Sequence, residues 1–88
     1  MIRRRVIVHG RVQGVFFRDS TKRQAQQRGV KGWVTNRPDG RVEAVFEGDD
    51  DAVERLVAFT REGPRGAQVD RVEVSAETPE GLTGFSIR

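Results

Sequence analysis

The chain has 88 residues, a formal charge of +3 and a pI near 10.5, with 35% hydrophobic and 33% charged residues. A chain this short buries only about 60–65% of the surface its unfolded form exposes, so one domain over residues 1–88, with one core and one shallow site, is expected. Zero cysteines and a single histidine, His9, exclude disulfides, thiolate metal centres, cysteine nucleophiles and multi-histidine metal sites, which leaves chemistry to arginine, amides, hydroxyls, carboxylates and the main chain.

Met1-Ile2-Arg3-Arg4-Arg5 has the charge of a signal-peptide start, but Val6-Ile7-Val8 reaches His9-Gly10 too soon to form its apolar segment. No stretch approaches the roughly 18 apolar residues of a membrane span; a cytoplasmic protein is expected. The basic balance favours anionic partners, either nucleic acid or a phosphorylated metabolite. Residues 3–9 read as a first strand ended by Gly10. Its three arginines suit phosphate contacts or simple solvation, and His9 is read as a satisfied strand residue.

Residues 19–28, "DSTKRQAQQR", predict a helix stopped by Gly29, with Asp19 or Ser20 as its cap. Its apolar face is thin: Phe17, Thr21 and Ala25, with the Arg28 stem available to extend it. Residues 30–36 form a second strand, and Arg37-Pro38-Asp39-Gly40 a turn, since proline presets φ and glycine accepts positive φ. In residues 41–47, Val42, Ala44 and Phe46 alternate with Glu43, Val45 and Glu47, as in a half-buried strand closing a hairpin. Asp49, Asp50 and Asp51 then sit where caps and first-turn acids belong. Val53, Leu56, Val57 and Thr60 follow as a helical stripe up to Gly63-Pro64. The acidic triplet invites a cation-site reading, but consecutive carboxylates do not converge on one point. Residues 68–76 read as a strand with Val72, Val74 and Ala76 on one face, and "GFSIR" (84–88) as a short closing strand with Phe85 and Ile87 together.

The order is βαββαβ plus a short C-terminal strand. Two right-handed βαβ units give an α+β, ferredoxin-like split βαβ sandwich, an antiparallel sheet with two helices on one face. That architecture hosts many functions, so function has to come from a site.

"HGRVQGVFFRDS" (9–20) joins the first strand to the first helix. A glycine-containing loop at a helix start presents main-chain N–H groups without intrahelical partners, and the helix dipole adds to their pull on an anion. Gly14 permits the curvature. Arg18 supplies a planar guanidinium fork that can hold two oxygens of a phosphate at once, with the Phe16-Phe17 pair expected to anchor the loop end in the core. The competing reading makes Arg18 one surface residue among fourteen arginines. Asn36 ends the second strand just before the turn; it either caps that turn or orients a water molecule.

"GRVQGVFFR" (10–18), "GWVTNRPDGRVEAVFEG" (32–48) and the terminal "GFSIR" together resemble the acylphosphatase family, in its own order and along essentially the whole chain. The resemblance implies hydrolysis of the carboxyl-phosphate bond of acyl phosphates to a carboxylate and inorganic phosphate. By position it makes Arg18 the phosphate-binding arginine, Asn36 the water-orienting asparagine, and the amides of Gln13, Gly14, Val15, Phe16 and Phe17 the phosphate-binding loop. It implies no metal and no organic cofactor. Arg28 departs from the family pattern, where an apolar residue is usual, and this touches helix packing only; Thr35 stands at a position that varies and often carries a base. Two other readings stand beside the enzyme. One is an RNA-binding sheet, which the basic pI favours but the lack of alternating aromatics on the third strand does not. The other is an anion-sensing domain of the kind fused within larger maturation proteins; an 88-residue chain starting at Met1 is read as the free-standing form. Expected partners are a small acyl phosphate and its phosphate product, with no membrane, no nucleic acid, and a monomeric state.

Overall fold

Alternation of valine with charged residues sets the sheet. In the computed structural model, which describes residues 1–88, the elements in chain order are β1 (Ile2–Arg11), α1 (Phe17–Gln27), β2 (Lys31–Asn36), β3 (Val42–Gly48), α2 (Asp50–Glu62), β4 (Gln68–Glu77) and β5 (Phe85–Ile87). The strand order is β4-β1-β3-β2-β5. Pairs β1–β4, β1–β3 and β2–β3 are antiparallel, while β5 lies parallel to β2 with Gly32 opposite Phe85. The ferredoxin-like fold therefore stands, but its sheet is mixed rather than antiparallel. The reason is directional: a chain leaving β4 without an intervening helix comes back reversed, and at the free edge beside β2 that direction is parallel.

Val6 and Val8 of β1, Val34 of β2, and Val42, Ala44 and Phe46 of β3 join the buried faces of the two helices in one core cluster. From α1 come Phe17 and Ala25, and from α2 the full Val53, Leu56, Val57 stripe, with Thr60 buried beside it. The Thr21 hydroxyl is buried too, and donates to the Phe17 carbonyl at 2.8 Å. Burying these side chains is the main favourable term, on the order of 1.5–3 kcal/mol for each large aliphatic or Phe.

Element ends differ from the sequence pattern in specific ways. Strand β1 continues through Gly10 to Arg11, because β4 is long enough to pair with both after an irregularity between His9 and Gly10. Helix α1 begins at Phe17, not at 19, so Asp19 and Ser20 fall inside its first turn and neither side chain caps it. Asp49 occupies the N-cap of α2, again without a side-chain capping bond. Arg28 is exposed, its Nη2 donating to Gln24 Oε1 at 3.4 Å, so its stem does not extend the buried face.

Strand β3 is buried on both faces, although its alternation predicts one. Val45 and Glu47, which point away from the helices, are both fully buried. Segment 78–84 leaves edge strand β4 and crosses this outer face to reach β5 at the opposite edge. Glu47 holds it there: its carboxylate accepts from the amides of Glu80, Gly81 and Leu82 at 2.8, 3.1 and 3.0 Å, and from Arg3 Nη1 at 2.7 Å. Burial pushes the Glu47 carboxyl up, but the three amides and the Arg3 guanidinium outweigh it and hold it at about 2.

Candidate active site

The β1–α1 loop is fixed at both ends by apolar side chains. Val12 and Phe17 are buried in the core, and between them the chain bends twice through left-handed backbone, at Gly14 (φ 75°) and at Phe16 (φ 62°, ψ 26°). The amides of Gln13, Gly14, Val15, Phe16 and Phe17 donate to no main-chain or side-chain acceptor in the chain. The first main-chain bond after the loop runs from Ser20 N to Phe16 O, at 3.0 Å. Successive unpartnered donors at the positive end of a helix are chemically able to attract an anion.

Arg18, one residue into α1, is exposed and forms no ion pair or hydrogen bond within the chain. Many other arginines are engaged: Arg3 and Arg5 with Glu47, Glu77 and Glu43, Arg4 with Glu54, and Arg37 and Arg41 with Asp39. Asn36, the last residue of β2, points to the helix side of the sheet with the side chains paired beside it on β3. Its Oδ1 is screened from solvent and has no hydrogen-bond partner, a condition rare for a buried acceptor and one that marks a place for a donor.

Arg18 and Asn36 line one cavity of about 240 Å³, together with Val12, Gly14, Phe16, Phe17 and Asp19. That volume suits a phosphoryl group and a water rather than a drug-sized ligand, which takes about 300–1,000 Å³. The tertiary structure thus brings together the two predicted side chains and the loop from opposite ends of 24 residues of sequence. One expectation needs correction. Phe16 does not share the anchoring of Phe17: its ring is 78% exposed, because consecutive residues at a helix start diverge by about 100° and only one can face the core. Asp19 is a lining residue of the cavity as well as a first-turn acid.

Sequence reasoning also missed the Gln13 side chain. Its Nε2 donates to the carbonyls of Arg37 and Arg41 at 2.8 and 3.0 Å, tying the loop to the turn that follows Asn36. The available signal was a lone amide side chain between Val12 and Gly14.

A second, wider hollow of about 630 Å³ lies between the end of α1 and the start of α2, lined by Gln27, Arg28, Asp49, Asp50, Asp51, Ala52 and Arg55. Its carboxylates disfavour an anion. No group of three His, Cys, Asp or Glu residues is placed to hold a metal ion. On the outer sheet face, the Trp33 ring carries the guanidinium groups of Arg5 and Arg88, at 5.5 and 4.6 Å from the ring centroid. No helix is long and apolar enough to cross a membrane.

Residues 4–87 match the family model described as Acylphosphatase. A curated protein of Gloeobacter violaceus named acylphosphatase is 55% identical over 86 residues, covering 98% of this chain and 92% of that one. Among solved structures, the crystal structure of acylphosphatase from Bacillus subtilis superposes with a TM-score of 0.96 at 40% identity, covering 100% of this chain and 99% of its own. The full-length HypF structure in a phosphate- and nucleotide-bound form aligns with 99% of this chain at a TM-score of 0.91 and 27% identity, but the match takes up only 12% of that protein.

Proposed function

The chain belongs to the acylphosphatase family, hydrolases of acyl phosphates, and on that premise we propose that its β1–α1 loop, Arg18 and Asn36 perform the hydrolysis. The amides of Gln13–Phe17 and the Arg18 guanidinium bind the phosphoryl oxygens, each charge-assisted bond contributing about 1.5–3 kcal/mol. The Asn36 carboxamide hydrogen-bonds a water and sets its oxygen in line behind phosphorus. The new P–O bond forms from water as the bond to the acyl oxygen breaks, and the electron pair leaves with the carboxylate. The water's proton goes to a phosphoryl oxygen of the substrate.

Such sparse machinery suffices for this leaving group. A carboxylic acid ionises near pH 4, so the carboxylate departs without a proton and no general acid is required. Phosphoryl transfer then asks for positioning and stabilisation of charge. An alkyl phosphate monoester has a far poorer leaving group, and little turnover is expected with one. We also take residues 1–88 to act as a single domain, monomeric and cytoplasmic, with no cofactor. The observation that supports the proposal is one small cavity lined by Arg18, Asn36 and the loop residues Gly14, Phe16 and Phe17, with a guanidinium free of intrachain partners, an orphaned amide oxygen and loop amides that have no acceptor in the chain. An RNA-binding sheet has less support, since the only outer-face aromatic, Trp33, is already engaged by the guanidinium groups of two arginines.

The test is release of phosphate from benzoyl phosphate. Arg18→Ala should lower kcat/KM by about 10³-fold and weaken inhibition by inorganic phosphate. Asn36→Ala should lower kcat by about 10²–10³-fold, as loss of one aimed polar group does, with phosphate inhibition largely retained. A wild-type rate no faster than buffer sinks the proposal.

A further inference from the structure

Phe16 breaks three local preferences at once. Its backbone lies in the left-handed region at φ 62°, ψ 26°, where bulky residues are rarely found and are strained. It holds the N-cap position of α1, where Ser, Thr, Asp and Asn are preferred. Its ring is 78% exposed, the one exposed aromatic among five Phe and one Trp. The core does not require it there, because Phe17 next door fills that role and packs on Phe59 with centroids 6.2 Å apart. Strain kept at a position that adds nothing to the core points to a role at the surface, and the ring borders the cavity that holds Arg18 and Asn36.

Building on the proposed function, we propose that Phe16 is a specificity-determining residue that receives the acyl group, and that the preferred substrates are acyl phosphates with an apolar or aromatic, uncharged acyl substituent. In-line displacement places the leaving oxygen opposite the attacking water. With water on the screened Asn36 side, the acyl group emerges on the open side of the cavity, where the exposed ring stands. An apolar substituent packs on that ring in an offset or edge-on arrangement and removes area from water. Asp19, exposed and also lining the cavity, disfavours a second negative charge on the acyl group.

The experiment compares kcat/KM for benzoyl phosphate and acetyl phosphate in the wild type, Phe16→Asn and Phe16→Gly, with inorganic phosphate as inhibitor to monitor the loop. Asn and Gly both accept left-handed backbone, so the loop's turn is kept while the ring is removed. The expected result is a benzoyl-to-acetyl ratio that falls about tenfold in both variants, the size of discrimination a single apolar wall provides. A ratio that stays at the wild-type value, or equal losses on both substrates, overturns the role of Phe16 alone. A wild type that hydrolyses neither substrate overturns the proposed function, and this inference with it.

Discussion

Gln13 links the two halves of the cavity through its side chain, which makes it the residue whose loss separates positioning from binding. Gln13→Leu keeps the volume and removes both donors to the Arg37 and Arg41 carbonyls. Each carbonyl retains one main-chain donor, Gly40 N and Arg37 N respectively, so the stability loss should be near 1 kcal/mol. The turn after Asn36 is then free to shift against the loop, and kcat should fall about tenfold or more, since sub-ångström misplacement is costly in a positioned displacement. Phosphate inhibition should weaken less than kcat. Steady-state kinetics alongside urea unfolding checks this; an unchanged kcat would reduce Gln13 to a staple. Residue type offered Arg18 and Asn36 only as candidates with competing surface and capping roles, and it is the fold that lines one cavity with both. The outward ring of Phe16 was not legible, because which of two adjacent phenylalanines faces the core depends on where the helix actually starts.

Strand β2 shows how an element can hinge on the absence of one side chain. Gly32 is buried with φ 141°, and a Cβ there would stand 1.8 Å from the Val45 carbonyl oxygen of β3. Gly32→Ala should therefore destabilise by about 3 kcal/mol or more, among the larger effects of single substitutions, read as a lowered urea midpoint. An alanine variant within 0.5 kcal/mol of wild type would show that β2 and β3 can part without cost. The helices were the most legible elements, since the Phe17, Thr21, Ala25 spacing and the Val53, Leu56, Val57, Thr60 stripe both proved buried. Their caps were less so: Asp19, Ser20 and Asp49 were all chemically suited to cap, and none does so through its side chain. Capping depends on the dihedral angles of the preceding loop, which residue type alone does not specify.

Across the whole molecule, the outer sheet face carries the acid sensitivity. Glu47 is held at about 2, below its ordinary 4.5, despite burial. Because the folded value lies below the unfolded one, its contribution is fully present above pH 4.5 and is lost as pH falls from there towards 2. Glu77, whose bonds from Arg5 and Arg3 lower it, and Glu73, lowered by its hydrogen bond to His9, act in the same direction. Urea midpoints should fall through that window. Glu47→Gln should cost about 3 kcal/mol at pH 7, the usual result of breaking a buried pair. It should also flatten the acid limb, so that variant and wild type converge near pH 2; a gap that stays constant with pH would place the effect in packing instead.

By itself the sequence determined the order of elements, the two buried helix stripes and the Pro-Gly turn, because these follow from periodicity and backbone preference over a few neighbours. The tertiary structure alone decided that β5 runs parallel, that segment 78–84 closes over Glu47, and that Gln13 reaches the turn beyond Asn36. Those outcomes are contacts between residues 24 or more positions apart, where no local pattern records the partner and only the packing of the sheet brings it within reach.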